Sequence, residues 1–267
     1  MSNLDLRFII GINVVAKKHF GQNFLQDEFI LTQIIQSIPK DVRKYKIVEI
    51  GAGLGDLTNK LLSLGSITAY EVDMELVPHL QKRFSDAIKS QHLQLKLGDI
   101  LEHWERESLE NEDYFLVSNL PYYIATLLIV KALKDPFCKG CVVMTQKEVA
   151  EKFCADVFSS NFGALSILTQ SVGIVSYLFS VPKEAFRPQP KVTSAVFLIQ
   201  KTKNFESLEK LEIMLKVAFS SPRKTLANNL SKTYKNAKDI LQKLDISANA
   251  RPHEVDTATY HRLLKFL

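Results

Sequence analysis

Hydrophobic and polar positions along this chain follow two periods. After Asp27, isoleucines at positions 30, 34, 35 and 38 recur at the spacing of an amphipathic helix, which Asp27 caps and Pro39 ends. Farther along, short β-branched or apolar runs alternate with helical patterns, an order that is typical of a doubly wound, parallel sheet. We predict strands at Lys46–Ile50, Ile67–Val72, Leu93–Leu97, Tyr114–Ser118, Cys141–Thr145 and Val192–Gln200, and helices at Leu57–Leu64, Leu76–Ile88 and Ile124–Lys134.

The pattern changes beyond Lys203. Three helical segments follow one another there without a strand between them, at Phe205–Phe219, Arg223–Tyr234 and Ala237–Leu244. We therefore predict an α/β domain over residues 1–202 and a small all-helical domain over residues 203–267. A chain of 267 residues is long enough for this arrangement.

The net charge of +5 is distributed unevenly. From Lys201 onward, 13 Lys and Arg stand against 7 Asp and Glu, whereas the first 200 residues carry 21 against 22. This basic excess predicts an anionic partner for the C-terminal segment. No apolar run approaches the roughly 20 residues of a membrane span, and Phe8–Val15 is interpreted as an N-terminal extension and not a secretion signal.

The three cysteines are too few for a disulfide framework, which suits a reducing, cytoplasmic environment. Cys138 and Cys141 form a lone C-x-x-C pair, and only Cys154 lies nearby. Because a structural zinc site needs four ligands, we interpret these as core and loop cysteines and expect no metal site.

A glycine turn follows the first predicted strand. Gly51, Gly53 and Gly55 allow ligand atoms to approach the backbone because no Cβ stands in the way. A dinucleotide fingerprint would require glycine at position 56, where this chain has Asp56, and a carboxylate at a helix start repels a pyrophosphate. S-adenosylmethionine carries no phosphate and is compatible with the turn. Tight packing is the alternative role for these glycines.

Acidic residues stand at the end of the second predicted strand and just after the third. Glu71, 20 residues after Gly51, can accept hydrogen bonds from both ribose hydroxyls of a nucleoside, and Asp99 can accept one from an adenine amino group. Either carboxylate alone is compatible with a solvated loop. Together they predict a nucleoside site, because successive strand ends share one crevice in an open α/β sheet.

The segment Asn119-Leu120-Pro121-Tyr122 follows the fourth predicted strand. If the Asn119 side-chain oxygen and a carbonyl near Leu120 accept the two N–H groups of an adenine amine, the nitrogen lone pair is freed to attack a sulfonium methyl. Pro121 fixes the local backbone, and Tyr122 can stack on the base. This is catalysis by positioning and electrostatics. A plain strand-to-helix turn is the alternative interpretation.

Three further segments mix cations with aromatic or amide side chains and predict contact with RNA. They are Lys17–Leu25, Phe186–Lys191 and Arg223–Thr225, the last of which is expected to open a basic helix. Ordinary solvated surface is the alternative for each of them.

These segments, in this order, closely resemble the ribosomal RNA adenine N6,N6-dimethyltransferase family, specifically the bacterial members that act on small-subunit 16S RNA. The resemblance extends over nearly the whole chain from Lys17 onward. It is carried by His19–Leu25, the glycine turn, Asn119–Tyr122, Gln146–Ala150, Pro190–Val196 and Arg223–Leu226.

The resemblance implies a Rossmann-like, S-adenosylmethionine-dependent methyltransferase fold with a mostly parallel seven-stranded sheet and a helical C-terminal RNA-binding domain. It implies methylation of two adjacent adenines near the 3′ end of 16S RNA in the assembling small subunit, and nothing demands more than a monomer. It implies a cofactor site formed by Asn23, Leu25, Gly51, Gly53, Glu71, Asp99 and Asn119. It also implies that Asn119, Leu120, Pro121 and Tyr122 hold the target amine, while Phe186 stacks on the flipped base opposite Tyr122.

The chain departs from the family pattern at Ala52, where proline is common, and at Pro222, where a further basic residue is usual. The second departure removes one expected phosphate contact. Two rival functions share the scaffold: methylation of a large-subunit adenine, and a non-catalytic role in assembly or transcription. Arg223–Leu226 together with Arg251-Pro252 favours the small-subunit enzyme. The intact Asn119–Tyr122 segment and Glu71 argue against a loss of activity.

Overall fold

The computed structural model of the protein describes residues 22–104 and 108–267. The predicted N-terminal extension at 8–15, and residues 17–21 of the first RNA-facing segment, lie outside the described residues. The strands are β1 (Phe24–Leu25), β2 (Lys46–Ile50), β3 (Ile67–Glu71), β4 (Leu93–Leu97), β5 (Tyr114–Asn119), β6 (Cys138–Gln146), β7 (Gly173–Val181), β8 (Phe186–Arg187) and β9 (Ser194–Lys201). The helices are α1 (Glu28–Gln36), α2 (Asp56–Leu61), α3 (Val77–Arg83), α4 (Ser85–Lys89), α5 (Ile100–His103), α6 (Ala125–Lys134), α7 (Lys147–Cys154), α8 (Ala164–Val172), α9 (Leu208–Ala218), α10 (Leu226–Leu230), α11 (Ala237–Lys243) and α12 (Thr257–Leu264).

The main sheet has seven strands in the order β4-β3-β2-β5-β6-β9-β7. Strands β2 to β6 pair in parallel, whereas β9 runs antiparallel to β6. The prediction of a mostly parallel, seven-stranded sheet is therefore confirmed. Strands β1 and β8 form a separate two-stranded antiparallel sheet. The parallel strands all end at the same edge, which is where an open α/β sheet binds ligands.

Helix α1 forms for the reasons that its sequence indicates. The Asp27 carboxylate accepts hydrogen bonds from the backbone N–H groups of Phe29 and Ile30 over 2.9 and 3.1 Å, so the first free donors of the helix have a partner. The apolar stripe then buries Ile30 and Ile34 in the core beneath the sheet.

Several predicted elements differ from the observed ones. The helix predicted over 76–88 is two helices that meet at Phe84, whose backbone leaves the helical region. In the segment predicted as a helix over 223–234, helix α10 spans only Leu226–Leu230, because Thr225 has extended backbone and caps it. Arg223 and Lys224 therefore lie in the preceding turn, and the expectation that they open a helix is wrong. Strand β7 and helices α7, α8 and α12 have no counterpart in the prediction.

The chain divides into two compact units. The first comprises the described residues as far as Ala150 together with Ser176–Gln200, and the second comprises Glu151–Val175 and Lys201–Leu267. The second unit thus includes 151–175, which the predicted boundary at residue 203 left in the first domain. Within this unit, the Ser171 hydroxyl lies 2.7 Å from a ring nitrogen of His261, so α8 is tied to α12 across a long stretch of sequence. Periodicity shows that a segment is helical, but not which helix it packs against.

In residues 22–104 and 108–267, the structure contains no helix that is both long and apolar enough to cross a membrane.

Candidate active site

A cavity of about 100 Å³ opens at the carboxyl ends of the parallel strands, within the first compact unit. Residues from the β1 segment, the glycine turn, the end of β3 and the segment after β5 surround it. Of the predicted site residues, it is lined by Asn23, Leu25, Gly51, Gly53, Glu71, Asn119, Leu120, Pro121 and Tyr122. Residues predicted from separate motifs thus meet around one cavity.

The turn after β2 can be made only with glycine at its central positions. Gly53 and Gly55 have φ angles of +59° and +86°, in the left-handed region that side chains rarely adopt. A Cβ on Gly55 would lie 2.5 Å from the Phe84 ring, and one on Gly53 would lie 3.2 Å from the Phe24 ring. Close packing against the Phe84 and Phe24 rings, the alternative role for these glycines, therefore favours glycine at these two positions. Gly51 and Gly53 also line the cavity.

Asp56 begins α2 directly after this turn and also lines the cavity. Its carboxylate forms an ion pair with Arg83 at 2.8 Å, and the same guanidinium donates to the Leu54 carbonyl over 2.6 Å. The carboxylate that disfavours a pyrophosphate ligand is thus a fixed part of the turn.

Glu71 ends β3 beside the glycine turn and is only 4% exposed. One carboxylate oxygen accepts the Gly53 N–H over 2.7 Å, and the other accepts the Asp73 N–H over 2.8 Å. Burial raises the pKa of this carboxyl, and those two backbone donors lower it in part. The two bonds hold the carboxylate at the rim of the cavity, where its remaining lone pairs can accept hydroxyl groups.

A second, smaller cavity of about 30 Å³ adjoins the first and is lined by Asp99 and Ile100. The two cavities share Gly51, Glu71, Val72, Pro121 and Tyr123 in their walls, so they are neighbouring parts of one groove. The Asp99 carboxylate accepts the Leu101 N–H over 2.8 Å, which caps α5. Asp99 therefore lines the smaller cavity and Asn119 the larger one. A nucleoside bound along the strand ends would extend from one to the other.

The chemistry of this groove fits S-adenosylmethionine. Glycine backbone allows close approach, Glu71 offers an acceptor for ribose hydroxyls, and Asp99 offers one for an adenine amine. In the described part of the chain, no group of histidine, cysteine and acidic residues is placed to hold a metal ion.

Hydrogen bonds from three consecutive residues hold the end of β5 and the start of the turn after it. The Ser118 hydroxyl donates to the Ile50 carbonyl over 2.6 Å, and the Leu120 N–H donates to the Met144 carbonyl over 3.0 Å. The Asn119 side-chain NH₂ donates to the Asn23 carbonyl over 3.3 Å, which leaves its Oδ1 as the acceptor. The structure gives this oxygen no hydrogen-bond partner among the described residues.

Glu49 and Tyr123 are among the lining residues that the predicted set lacks. The sequence could have indicated Glu49, because it lies inside an otherwise apolar strand and a carboxylate is rarely buried there without a role. Glu49 is 1% exposed and accepts the Thr58 hydroxyl over 2.6 Å. Burial raises its pKa to about 8, helped by the carboxylates of Glu71 and Asp56 and opposed by the Thr58 bond.

Because the pKa of Glu49 is raised on folding, this residue should make the protein less stable as the pH rises. Between pH 5 and 8 the folded protein keeps a proton on Glu49 that the unfolded chain loses, so stability falls as pH rises, by up to about 1.4 kcal/mol per pH unit from this group. Glu49→Gln stays neutral at every pH. We expect its thermal unfolding midpoint, relative to wild type, to increase steadily from pH 5 to pH 8.

Glu110→Gln is the matched control for this measurement. Burial acts to raise the pKa of Glu110, but hydrogen bonds from Tyr70, Lys96 and Lys46 hold it below the ordinary value. Glu110 is therefore charged in both states above pH 5, and its variant should lose stability by a constant amount. If the unfolding midpoints of Glu49→Gln and wild type changed in parallel between pH 5 and pH 8, the folded protein would not hold a proton on Glu49.

Phe186 does not line either cavity. It pairs with Leu25 in the β1–β8 sheet, and its ring is wholly buried in the core of the first unit. The expectation that Phe186 stacks on a target base is at odds with this structure, because a ring with no exposed surface offers no face to a ligand. Tyr122, in contrast, is half-buried and does line the larger cavity.

The comparisons with known proteins agree on one family. A model of the ribosomal RNA adenine dimethylase family matches residues 13–267. The chain is 53% identical over 254 residues to a ribosomal RNA small subunit methyltransferase A of Sulfurimonas denitrificans, covering 94% of both proteins. It is 49% identical over 260 residues to the protein of that name from Helicobacter hepaticus, covering 94% of this chain and 91% of the relative.

Solved structures show the same fold. A dimethyladenosine transferase from Plasmodium falciparum is similar with a TM-score of 0.75 and 28% identity, over 91% of this chain and 97% of that one. The 23S rRNA methyltransferase ErmE has a TM-score of 0.70 at 23% identity, over 91% and 98%, and supports the fold alone. The chain belongs to the ribosomal RNA adenine dimethylase family and is an S-adenosylmethionine-dependent methyltransferase.

Proposed function

We propose that the protein transfers methyl groups from S-adenosylmethionine to the N6 amines of two adjacent adenines near the 3′ end of 16S ribosomal RNA. The relatives that share about half of its residues are named for the small ribosomal subunit. The observation that carries the proposal is the amide of Asn119, whose NH₂ is bound by the Asn23 carbonyl and whose oxygen is left to accept at the edge of the cavity.

The groove along the strand ends is assigned to the methyl donor. When bound, S-adenosylmethionine supplies an electrophilic methyl group on a sulfonium centre. Glu71 accepts hydrogen bonds from the ribose hydroxyls, and Asp99 accepts one from the adenine amine. The backbone at Gly51 and Gly53 lies against the ligand without a Cβ between them. Asn23 and Leu25 complete the wall on the side of β1.

The corner after β5 is assigned to the target adenine. Asn119 Oδ1 and a carbonyl near Leu120 accept the two N–H groups of the amine, which directs the nitrogen lone pair toward the methyl group. Pro121 fixes the turn, and Tyr122 stacks on the base, a contact worth about 1–3 kcal/mol. These residues accelerate the reaction by orientation and by accepting hydrogen bonds, with no strong base required.

The second compact unit is assigned to RNA binding. It contains the basic C-terminal segment, in which Arg223 and Lys224 are exposed in the turn that precedes α10. Phosphate contacts of this kind supply affinity without reading sequence. We propose that the substrate is the assembling small subunit and that the protein acts on it in the cytoplasm as a monomer.

One experiment tests this function directly. The purified protein is incubated with labelled S-adenosylmethionine and small subunits that lack adenine dimethylation, and the modified nucleosides are then mapped. We expect dimethyladenosine at two neighbouring positions near the 3′ end of 16S RNA. Label in large-subunit RNA alone would support the sister activity instead, and no label in either subunit would support the non-catalytic role.

A further inference from the structure

We propose that Ser194 is a positioning residue for the target base and acts by holding the side chain of Tyr122. This inference rests on the proposed function, because it concerns how Tyr122 presents its ring to an adenine. Ser194 lies 72 residues from Tyr122 along the chain and is not among the predicted site residues.

The topology of the sheet brings these two residues together. Because β9 runs antiparallel to β6, its first residue, Ser194, lies at the edge where the parallel strands end, opposite Gln146. On the other side of β6, Asn119 at the end of β5 lies opposite Met144. The start of β9 and the segment after β5 therefore flank the same end of one strand.

The contact between them is a hydrogen bond between two hydroxyl groups. Tyr122 Oη and Ser194 Oγ lie 2.5 Å apart, and Ser194 has no exposed surface, so bulk water does not compete for its hydroxyl. Burial raises the pKa of the Tyr122 hydroxyl, and the Ser194 bond lowers it in part, so the phenol is protonated at neutral pH. The far end of the ring is thereby tied to the sheet.

The hydrogen bond to Ser194 affects the target base because the plane of the Tyr122 ring sets the plane of a base stacked on it. A tyrosine fixed only at Cβ can turn about two side-chain torsions, whereas the bond to Ser194 holds both ends of the ring. A base stacked on Tyr122 then keeps its amine at a constant position relative to Asn119 on the same turn. Errors of about 1 Å in such positions can cost about 100-fold in rate.

The test compares Tyr122→Phe, Ser194→Ala and the double variant. Single-turnover methylation is followed with protein in excess over small subunits and with saturating S-adenosylmethionine. We expect each single variant to be slower by about 3- to 10-fold, with unchanged affinity for S-adenosylhomocysteine, and the double variant to be no slower than either one. Tyr122→Phe keeps the ring, so it separates the hydroxyl from the stacking surface.

Two control variants remove hydroxyl groups that the proposal does not involve. Thr145 lies next to this corner, opposite Ala195, and its buried hydroxyl has no hydrogen-bond partner in the described part of the chain. Tyr177 forms a similar bond with the hydroxyl of Ser180 at 2.6 Å, but in an exposed position. Thr145→Val and Tyr177→Phe are expected to methylate at the wild-type rate.

The outcomes are distinct. A wild-type rate for Ser194→Ala, additive losses in the double variant, or an equal loss in Thr145→Val would each overturn the role of Ser194 while leaving the methyltransferase function intact. Wild-type protein that forms no methylated adenine would overturn the proposed function and this inference together. Equal, non-additive losses confined to Tyr122 and Ser194 would support it.

Discussion

Replacement of Asn119 by alanine is expected to slow methyl transfer by about 100- to 1,000-fold, the usual cost of removing one group that stabilises charge in a transition state. The Asn119 amide is held by its bond to the Asn23 carbonyl, so alanine removes both the acceptor and its orientation. RNA affinity should stay within about twofold of wild type, because phosphate contacts dominate it. The measurement is the single-turnover rate with unmethylated small subunits, together with a filter-binding titration.

Asn59→Ala is the matched control. Asn59 lies on α2, shortly after the glycine turn that follows β2, and its side chain is exposed. The same chemical change there should leave the rate unaltered. An Asn119→Ala enzyme that methylates at the wild-type rate would show that the amine is held by other groups.

Replacement of Glu71 by alanine is expected to weaken binding of the methyl donor by about 100-fold, since hydrogen bonds to a charged group contribute about 1.5–3 kcal/mol each. The loss has two sources. Two acceptors for ribose hydroxyls disappear, and the N–H groups of Gly53 and Asp73 lose the carboxylate that orders the turn. Calorimetric titration with S-adenosylhomocysteine measures the affinity, and thermal unfolding reports the cost to the fold.

Glu102→Ala provides the control for this variant, because Glu102 is an exposed carboxylate on α5 near the same strand ends. Its removal changes the charge of this region by the same amount as Glu71→Ala, but Glu102 does not line either cavity. Donor affinity within about threefold of wild type in Glu71→Ala would exclude Glu71 from the donor site, because a single hydrogen bond to a charged group contributes more than that.

Elements with a strong local pattern were predicted closely. The strands at Lys46–Ile50 and Leu93–Leu97 coincide with the observed ones at both ends, because β-branched or alternating runs are bounded there by loop residues. The helix over 76–88 was predicted as one piece because its apolar spacing continues past Phe84. Phe84 instead turns inward against the glycine turn, where a Cβ on Gly55 would meet its ring.

The position of Phe186 differs from the expected one for a related reason. An aromatic residue next to Arg187 and Pro188 is typical of an exposed, RNA-facing loop. Pairing of Phe186 with Leu25, more than 160 residues earlier, draws the ring into the core instead. A local motif carries no information about such a partner.

Three local features of this protein were predictable from nearby residues: the cap of α1 at Asp27, the glycine turn after β2, and the polar turn that begins at Asn119. Each follows from backbone preferences and hydrogen bonds within a few positions. Contacts between distant groups, such as Arg83 with Asp56 and Ser194 with Tyr122, could not be predicted in this way. Strand order and direction set such contacts, and both result from packing of the whole sheet and not from any one segment.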